Sequence, residues 1–169
     1  RDFVNDSKRG RSIVIERNTF TGTRRMPLEV GPIGAYTRDL VVRNNWAADF
    51  VNRGPDPGQE ESTFVAYSVV PTYGINSLIA DNYAIAGAHG RGRIGIELDG
   101  SGTVVGNYMT DFDFGAIVYG RGFSVHDNSF VNTREASVLN YAKKEGVIRE
   151  NSAKPPAAPL PPPQRVSWP

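Results

Sequence analysis

Asp111 and Asp113 stand two residues apart in the stretch DFDF, a spacing at which two carboxylates can do chemistry. In an extended segment both would leave one face, their side-chain roots roughly 7 Å apart at about 3.3 Å per residue, with Phe112 and Phe114 on the other face. Such a pair could bind calcium through its carboxylates. It could also supply the acid and base of an inverting glycosidase, whose carboxyl groups stand about 6.5 to 9.5 Å apart. A solvated turn between two strands is the alternative reading of the same residues.

Three further segments resemble one another: GIELDG from Gly95, GAIVYG from Gly115 and ASVLNY from Ala136, at offsets of 20 and 21 residues. Aligned, they place Asp99, Tyr119 and Asn140 at equivalent outward positions, with Arg121 just beyond Tyr119 and Arg93 just before the first segment. An acid, an aromatic ring and an amide in one strip suit a sugar chain, and arginine pairs a uronate carboxylate bidentately. That pairing acidifies the sugar's α-proton for β-elimination, with Tyr119 or His89 as candidates to remove it. A mixed β-surface without a ligand is the alternative. His126, the second of two histidines, stands two residues before Asn128 in a position shared with Glu16, Arg43 and Arg149. That company marks a solvent-facing column and a surface histidine.

These residues need a scaffold, and the sequence writes one by repetition. IVIERNTF from Ile13 and FSVHDNSF from Phe123 share a pattern that returns in LVVRNNW, LIADNY, TVVGNY and VIRENS. Its anchors are Asn18, Asn45, Asn82, Asn107, Asn128 and Asn151, spaced by 27, 37, 25, 21 and 23 residues. Three places before each stands a β-branched aliphatic: Ile15, Val42, Ile79, Val104, Val125 and Ile148. Periods of this length mean stacked units, and short Val- and Ile-rich segments ending in Asn or Gly read as strands. Stacking pairs each strand in parallel with its equivalent about 4.8 Å away. The Asn residues would then hydrogen-bond as a ladder, with the aliphatic column and Phe20, Trp46, Tyr83, Tyr108 and Phe130 filling the interior.

On these repeats, residues 11–153 resemble the right-handed parallel β-helix class, which includes pectate-lyase-like and polygalacturonase-like proteins and phage tailspikes. The expected fold is all-β, a β-solenoid of about six coils and a fragment of a longer one. AHGRGR, Ala88 to Arg93, resembles the GHG and RIK segments of polygalacturonase-like members. Ala88 replaces the first Gly, Gly95 follows Ile94, and the paired-aspartate, NTD and DPHD motifs are absent. No catalytic assignment is therefore carried over, and fold alone does not define activity.

Nineteen Lys and Arg against eighteen Asp and Glu, scattered along the chain, give a net charge of +1 and no electrostatic case for a nucleic-acid partner. No apolar run approaches a membrane span, the first residues lack the apolar core of a signal peptide, and the absence of cysteine leaves the compartment open. Residues 1–10 read as the remnant of a preceding coil, since FVN at Phe3 echoes FVN at Phe50 and Phe130. Residues 154–169, KPPAAPLPPPQRVSWP, read as a polyproline tail or linker that packs on the last coil near Val147 to Asn151 or along the solenoid. Thr21 to Asp39 and Ala47 to Asn76 read as long insertions, which in repeat folds gather on one face and build binding grooves.

The expected function is a secreted or cell-surface β-helix that binds or acts on an acidic polysaccharide, as a lyase or glycoside hydrolase. The alternative is a structural or adhesive module of a surface protein or tailspike, without catalysis, assembled as a homo-oligomer (a trimer if spike-like) or continued by further coils. Asp111, Asp113, His89 and Tyr119 are the candidate catalytic residues, and Arg93, Asp99, Arg121 and Asn140 the candidate substrate-binding ones. No cofactor is implied beyond the calcium that the two aspartates could hold.

Overall fold

The computed structural model describes residues 9–22, 26–31, 36–48, 65–71, 73–86, 92–141, 143 and 145–155. Every strand in it pairs in parallel with its equivalent one repeat along, the geometry of a β-solenoid. The first coil holds β1 (Arg9–Arg11), β2 (Val14–Glu16), β3 (Thr19–Thr21) and β4 (Leu28–Val30). The second holds β5 (Tyr36–Arg38), β6 (Val41–Arg43), β7 (Trp46–Ala48) and β8 (Val65–Val69). Next come β9 (Ser77–Ala80), β10 (Tyr83–Ile85) and β11 (Gly92–Leu98), then β12 (Gly102–Val105), β13 (Tyr108–Thr110) and β14 (Phe112–Val118). The last full coil holds β15 (Phe123–His126), β16 (Ser129–Val131) and β17 (Ala136–Asn140), and β18 (Gly146–Arg149) begins another.

Stacking turns these coils into three long sheets. The first runs β2-β6-β9-β12-β15-β18, the second β3-β7-β10-β13-β16 and the third β4-β8-β11-β14-β17. Six passes through the first sheet but five through the other two give fewer complete turns than six repeats suggest. The two long insertions are partly solenoid: β4 and β5 lie in one, and the other contains β8, which becomes an interior strand of the third sheet. β1 crosses the expected boundary at residue 10 and pairs with β5. Residues 1–8 and 156–169, and with them the expected packing of the proline tail, lie outside the described residues.

The aliphatic column forms as the sequence demands: Ile15, Val42, Ile79, Val104, Val125 and Ile148 are in direct register. Its four middle members are fully buried, while Ile148, on the outermost strand, is 45% exposed. One buried stack from end to end was expected, and the open edge of β18 ends it early. Between the first and second sheets the chain turns through the left-handed region at the residue before each anchor: Arg17, Asn44, Asp81, Gly106, Asp127 and Glu150 all have φ between 52° and 67°. This corner is what the recurring polar residue before Asn encodes, since Asn, Asp and Gly enter that region most readily.

The anchors themselves form the ladder. The backbone N–H and side-chain Nδ2 of Asn45 both donate to Oδ1 of Asn82, at 3.0 and 2.9 Å, and the same double bond links each anchor to the next from Asn18 to Asn151. From Asn45 onward, each Nδ2 also donates backward to the aliphatic residue's carbonyl one coil earlier, as from Asn107 to Ile79 at 2.9 Å. Asn45, Asn82, Asn107 and Asn128 can therefore be buried without stranded donors.

The aromatics correct one expectation. Phe20 and Phe130 stand two residues after their anchors, in register with Ala47, Ala84 and Met109, and belong to the core. Trp46, Tyr83 and Tyr108 follow their anchors by one residue, and alternation sends them outward. There they stack on one another, with ring centroids 5.9 and 4.8 Å apart.

Candidate functional site

The third sheet carries the residues singled out for chemistry. Its inner face packs Tyr67, Ile96, Leu98, Ala116 and Val118 into the core. A second apolar cluster of Val65, Ile94 and Ile117, flanked by Met26, Phe114, Tyr119 and Leu139, is separate from that core. Polar side chains are embedded around it.

Asp111 and Asp113 engage different partners. Asp111 occupies the corner between β13 and β14 at φ 67°, where its carboxylate accepts from Thr110 and Asn132. This left-handed residue interrupts the extended geometry on which a shared face depended. Phe112 enters the inner core and Phe114 joins the second cluster, so the two rings are parted as well. Asp113 is buried, and its Oδ2 takes both Arg93 Nη1 at 3.2 Å and Arg134 Nη2 at 2.9 Å. The Arg93 guanidinium also lies over the Phe114 ring, 5.0 Å from its centroid. Among the described residues no three His, Cys, Asp or Glu side chains converge as a metal site.

A second polar group lies further along the sheet. Register places Ser68, Glu97 and Ile117 side by side on β8, β11 and β14. Ser68 Oγ donates to Glu97 Oε2 at 2.9 Å, and the Tyr119 hydroxyl donates to Glu97 Oε1 at 3.0 Å. Tyr141 leans on Tyr119 with centroids 5.4 Å apart and planes inclined by 53°. Burial first, then the charge of Glu97 and the hydrogen bond to it, push the Tyr119 phenol far above its ordinary range. Tyr119 therefore keeps its proton and donates it to Glu97 in a hydrogen bond.

The expected strip is brought together in part. Leu98, Val118 and Asn140 share one register, so Asn140 lies one step short of the Tyr119 column, and Tyr141 stands against Tyr119 instead. The cause is spacing: Phe114 pairs with Ala136 and Ala116 with Val138, so this coil is longer by one residue than the alignment of GAIVYG with ASVLNY assumed. Asp99 turns its Oδ1 to the backbone N–H of Gly100 at 2.7 Å and serves the turn after β11. Arg121 is exposed in the turn after β14. His89, and most of the segment expected to bound a groove, lie outside the described residues. His126 is partly exposed and bonds its neighbour Asp127 at 2.6 Å.

Ser68, Glu97, Arg134 and Tyr141 escaped sequence reasoning. Ser68 sat in what read as an insertion, and the contacts of Glu97 and Tyr141 with Tyr119 and of Arg134 with Asp113 emerge only once the register is known. The available signal was that Glu97 stands between buried Ile96 and Leu98 in GIELDG and so alternates outward. Compared with known proteins, the chain matches no family model, no curated protein and no solved structure.

Proposed function

We propose that this β-solenoid is a non-catalytic binding module for an acidic polysaccharide, of the pectate-lyase-like β-helix type and working outside the cell or on its surface. The observation that supports it is the Arg93–Asp113–Arg134 cluster, in which one buried carboxylate holds two half-exposed guanidiniums together. Stacking on Phe114 and the bond to Asp113 fix the Arg93 fork in advance, which lowers the entropic cost of receiving a uronate carboxylate. Glu135, 3.6 Å from Arg134, offsets part of the positive charge and makes Arg93 the stronger partner. Tyr119 and Tyr141 lie up to roughly 20 Å further along the strands, at about 3.3 Å per residue. That separation suits a chain of several sugars, with exposed Tyr141 offering a ring to one of them. What favours a binding role is that two arginines engage Asp113 and that Tyr119 keeps its proton in a bond to Glu97.

The second reading, a structural or adhesive β-helix, is supported by a separate observation: the Asn ladder and the Trp46–Tyr83–Tyr108 stack both run along the axis and stiffen it. Calorimetric titration with a uronate polymer and a neutral polymer of equal length separates the two. The binding reading expects uptake of the uronate polymer alone, weakened about tenfold by Arg93→Ala, as for loss of a charge-assisted bidentate contact. Neither reducing ends nor an unsaturated product should form. Absence of binding to either polymer would leave the structural reading standing.

A further inference from the structure

The outer face of the third sheet changes character along its strands. Near their start, Arg93 and Arg134 are set against Asp113 and Glu135, two guanidiniums against two carboxylates. That end is close to neutral, and it offers a fork for one carboxylate rather than a field for many.

Further along, the outward positions are acidic. Glu29, Ser68 and Glu97 share one register column on β4, β8 and β11, and Asp99 follows Glu97 by two residues. Burial first, then Glu97 and, after it, Tyr141 and Asp99 raise the Tyr119 phenol, which sets both carboxylates beside that ring. Among the described residues neither Glu97 nor Asp99 forms an ion pair, although Arg121 and Lys143 stand beyond the strand ends. Ser68 and Tyr119 each bond one oxygen of the Glu97 carboxylate, and each oxygen keeps a second lone pair with which to accept. The ring of Tyr141, 67% exposed, lies against Tyr119. Acceptors beside an exposed ring suit the hydroxyls of an uncharged sugar. A carboxylate at the same place would meet like charge at short range.

We infer that this strip selects a mixed acidic polysaccharide: Arg93 seats a uronate, Glu97 and Asp99 accept the hydroxyls of an uncharged sugar against Tyr141, and a second uronate there is repelled. Arg93 and Glu97 are four residues apart on β11, up to roughly 13 Å at about 3.3 Å per residue, so different sugars of one chain occupy the two places. The inference rests on the polysaccharide-binding reading and names its specificity. Discrimination then comes from a repulsive group as well as from an attractive one.

Calorimetric titration with three oligosaccharides of equal length tests it: a homouronate, an oligomer in which uronate alternates with a neutral hexose, and a neutral hexose oligomer. The unaltered protein should bind the alternating oligomer about tenfold or more tightly than the homouronate. Glu97→Gln removes the charge and keeps amide partners for Ser68 and Tyr119, so it should narrow that ratio to about threefold or less by strengthening homouronate binding. A gain of affinity cannot come from a damaged fold. Asp99→Asn keeps Oδ1 for the Gly100 N–H and should move the ratio in the same direction, which serves if Glu97→Gln fails to fold. Equal binding of the two uronate oligomers, or a ratio that the substitutions leave unchanged, overturns the inference and leaves the polysaccharide reading intact. Binding of none of the three refutes that reading and this inference with it.

Discussion

The side-chain oxygen of Asn107 receives two hydrogen bonds from Asn82, one from its backbone N–H at 2.9 Å and one from its Nδ2 at 3.0 Å. Both residues are buried, so water cannot replace either bond. Asn107→Ala would strand two donors, at about 1 to 3 kcal/mol each, for a loss on the order of 3 to 5 kcal/mol. Asn18→Ala removes only donors at an exposed edge and should cost less than about 1 kcal/mol. Urea unfolding of the two variants checks the contrast. Equal losses would mean that the ladder contributes nothing beyond local turn geometry.

Position in the stack should grade the aliphatic column in the same way. Val125 is fully buried between Val104 and Ile148, and Val125→Ala should cost about 1 to 3 kcal/mol through lost burial and the cavity left behind. Ile148 lies at the open edge, and Ile148→Ala should cost under about 1.5 kcal/mol despite removing more atoms. A larger loss at Ile148 than at Val125 would show that another surface covers β18.

The left-handed corner column yields a pair of opposite signs. Arg17 has φ 57° and Gly106 has φ 67° at equivalent positions before their anchors. An ordinary side chain in this region costs about 1 kcal/mol relative to glycine. Arg17→Gly should therefore raise stability by up to about 1 kcal/mol, after allowance for glycine's greater freedom when unfolded. Gly106→Ala should lower stability by at least about 1 kcal/mol, since its added carbon would also meet Asp81 Oδ1 at 2.3 Å. Denaturant midpoints of both proteins decide the matter, and two changes of the same sign would refute the column's equivalence.

The fold could be read from sequence because its determinants recur at fixed offsets: a β-branched residue and an Asn three places later need no knowledge of the connecting loops. Alternation then separates Phe130 from Tyr108, but only when the offset from the anchor is counted as two against one. The candidate site was less legible. Which residues stand beside Glu97 depends on the exact lengths of two irregular connections, and one residue more between β14 and β17 exchanges Asn140 for Tyr141. The different partners of Asp111 and Asp113 are not legible from period two, which assumes an unbroken strand, whereas Asp111 sits at a left-handed corner. Burial of Asp113 under two arginines is a tertiary outcome with no local sequence mark.

Alkaline titration gives a separate view of Tyr119. Its phenol is raised above the ordinary value of 10.0 by burial and by Glu97. Below that value the folded and unfolded states are both protonated, and the stabilising bond to Glu97 is fully present. As pH rises past it, the unfolded phenol ionises while the folded one keeps its proton, so stability falls with pH. Tyr119→Phe removes this dependence together with the hydrogen bond. The variant should be less stable at neutral pH by about 1 kcal/mol, taking a modest value for a half-exposed bond to a charged group. Its stability should then fall less steeply above pH 10, so that the two curves approach each other. Tyr67 is also raised by burial but is common to both proteins, so the difference between the curves reports Tyr119 alone. Urea midpoints measured from neutral to strongly alkaline pH provide the comparison, and curves that stay parallel would show that Tyr119 ionises as freely in the folded chain as in the unfolded one.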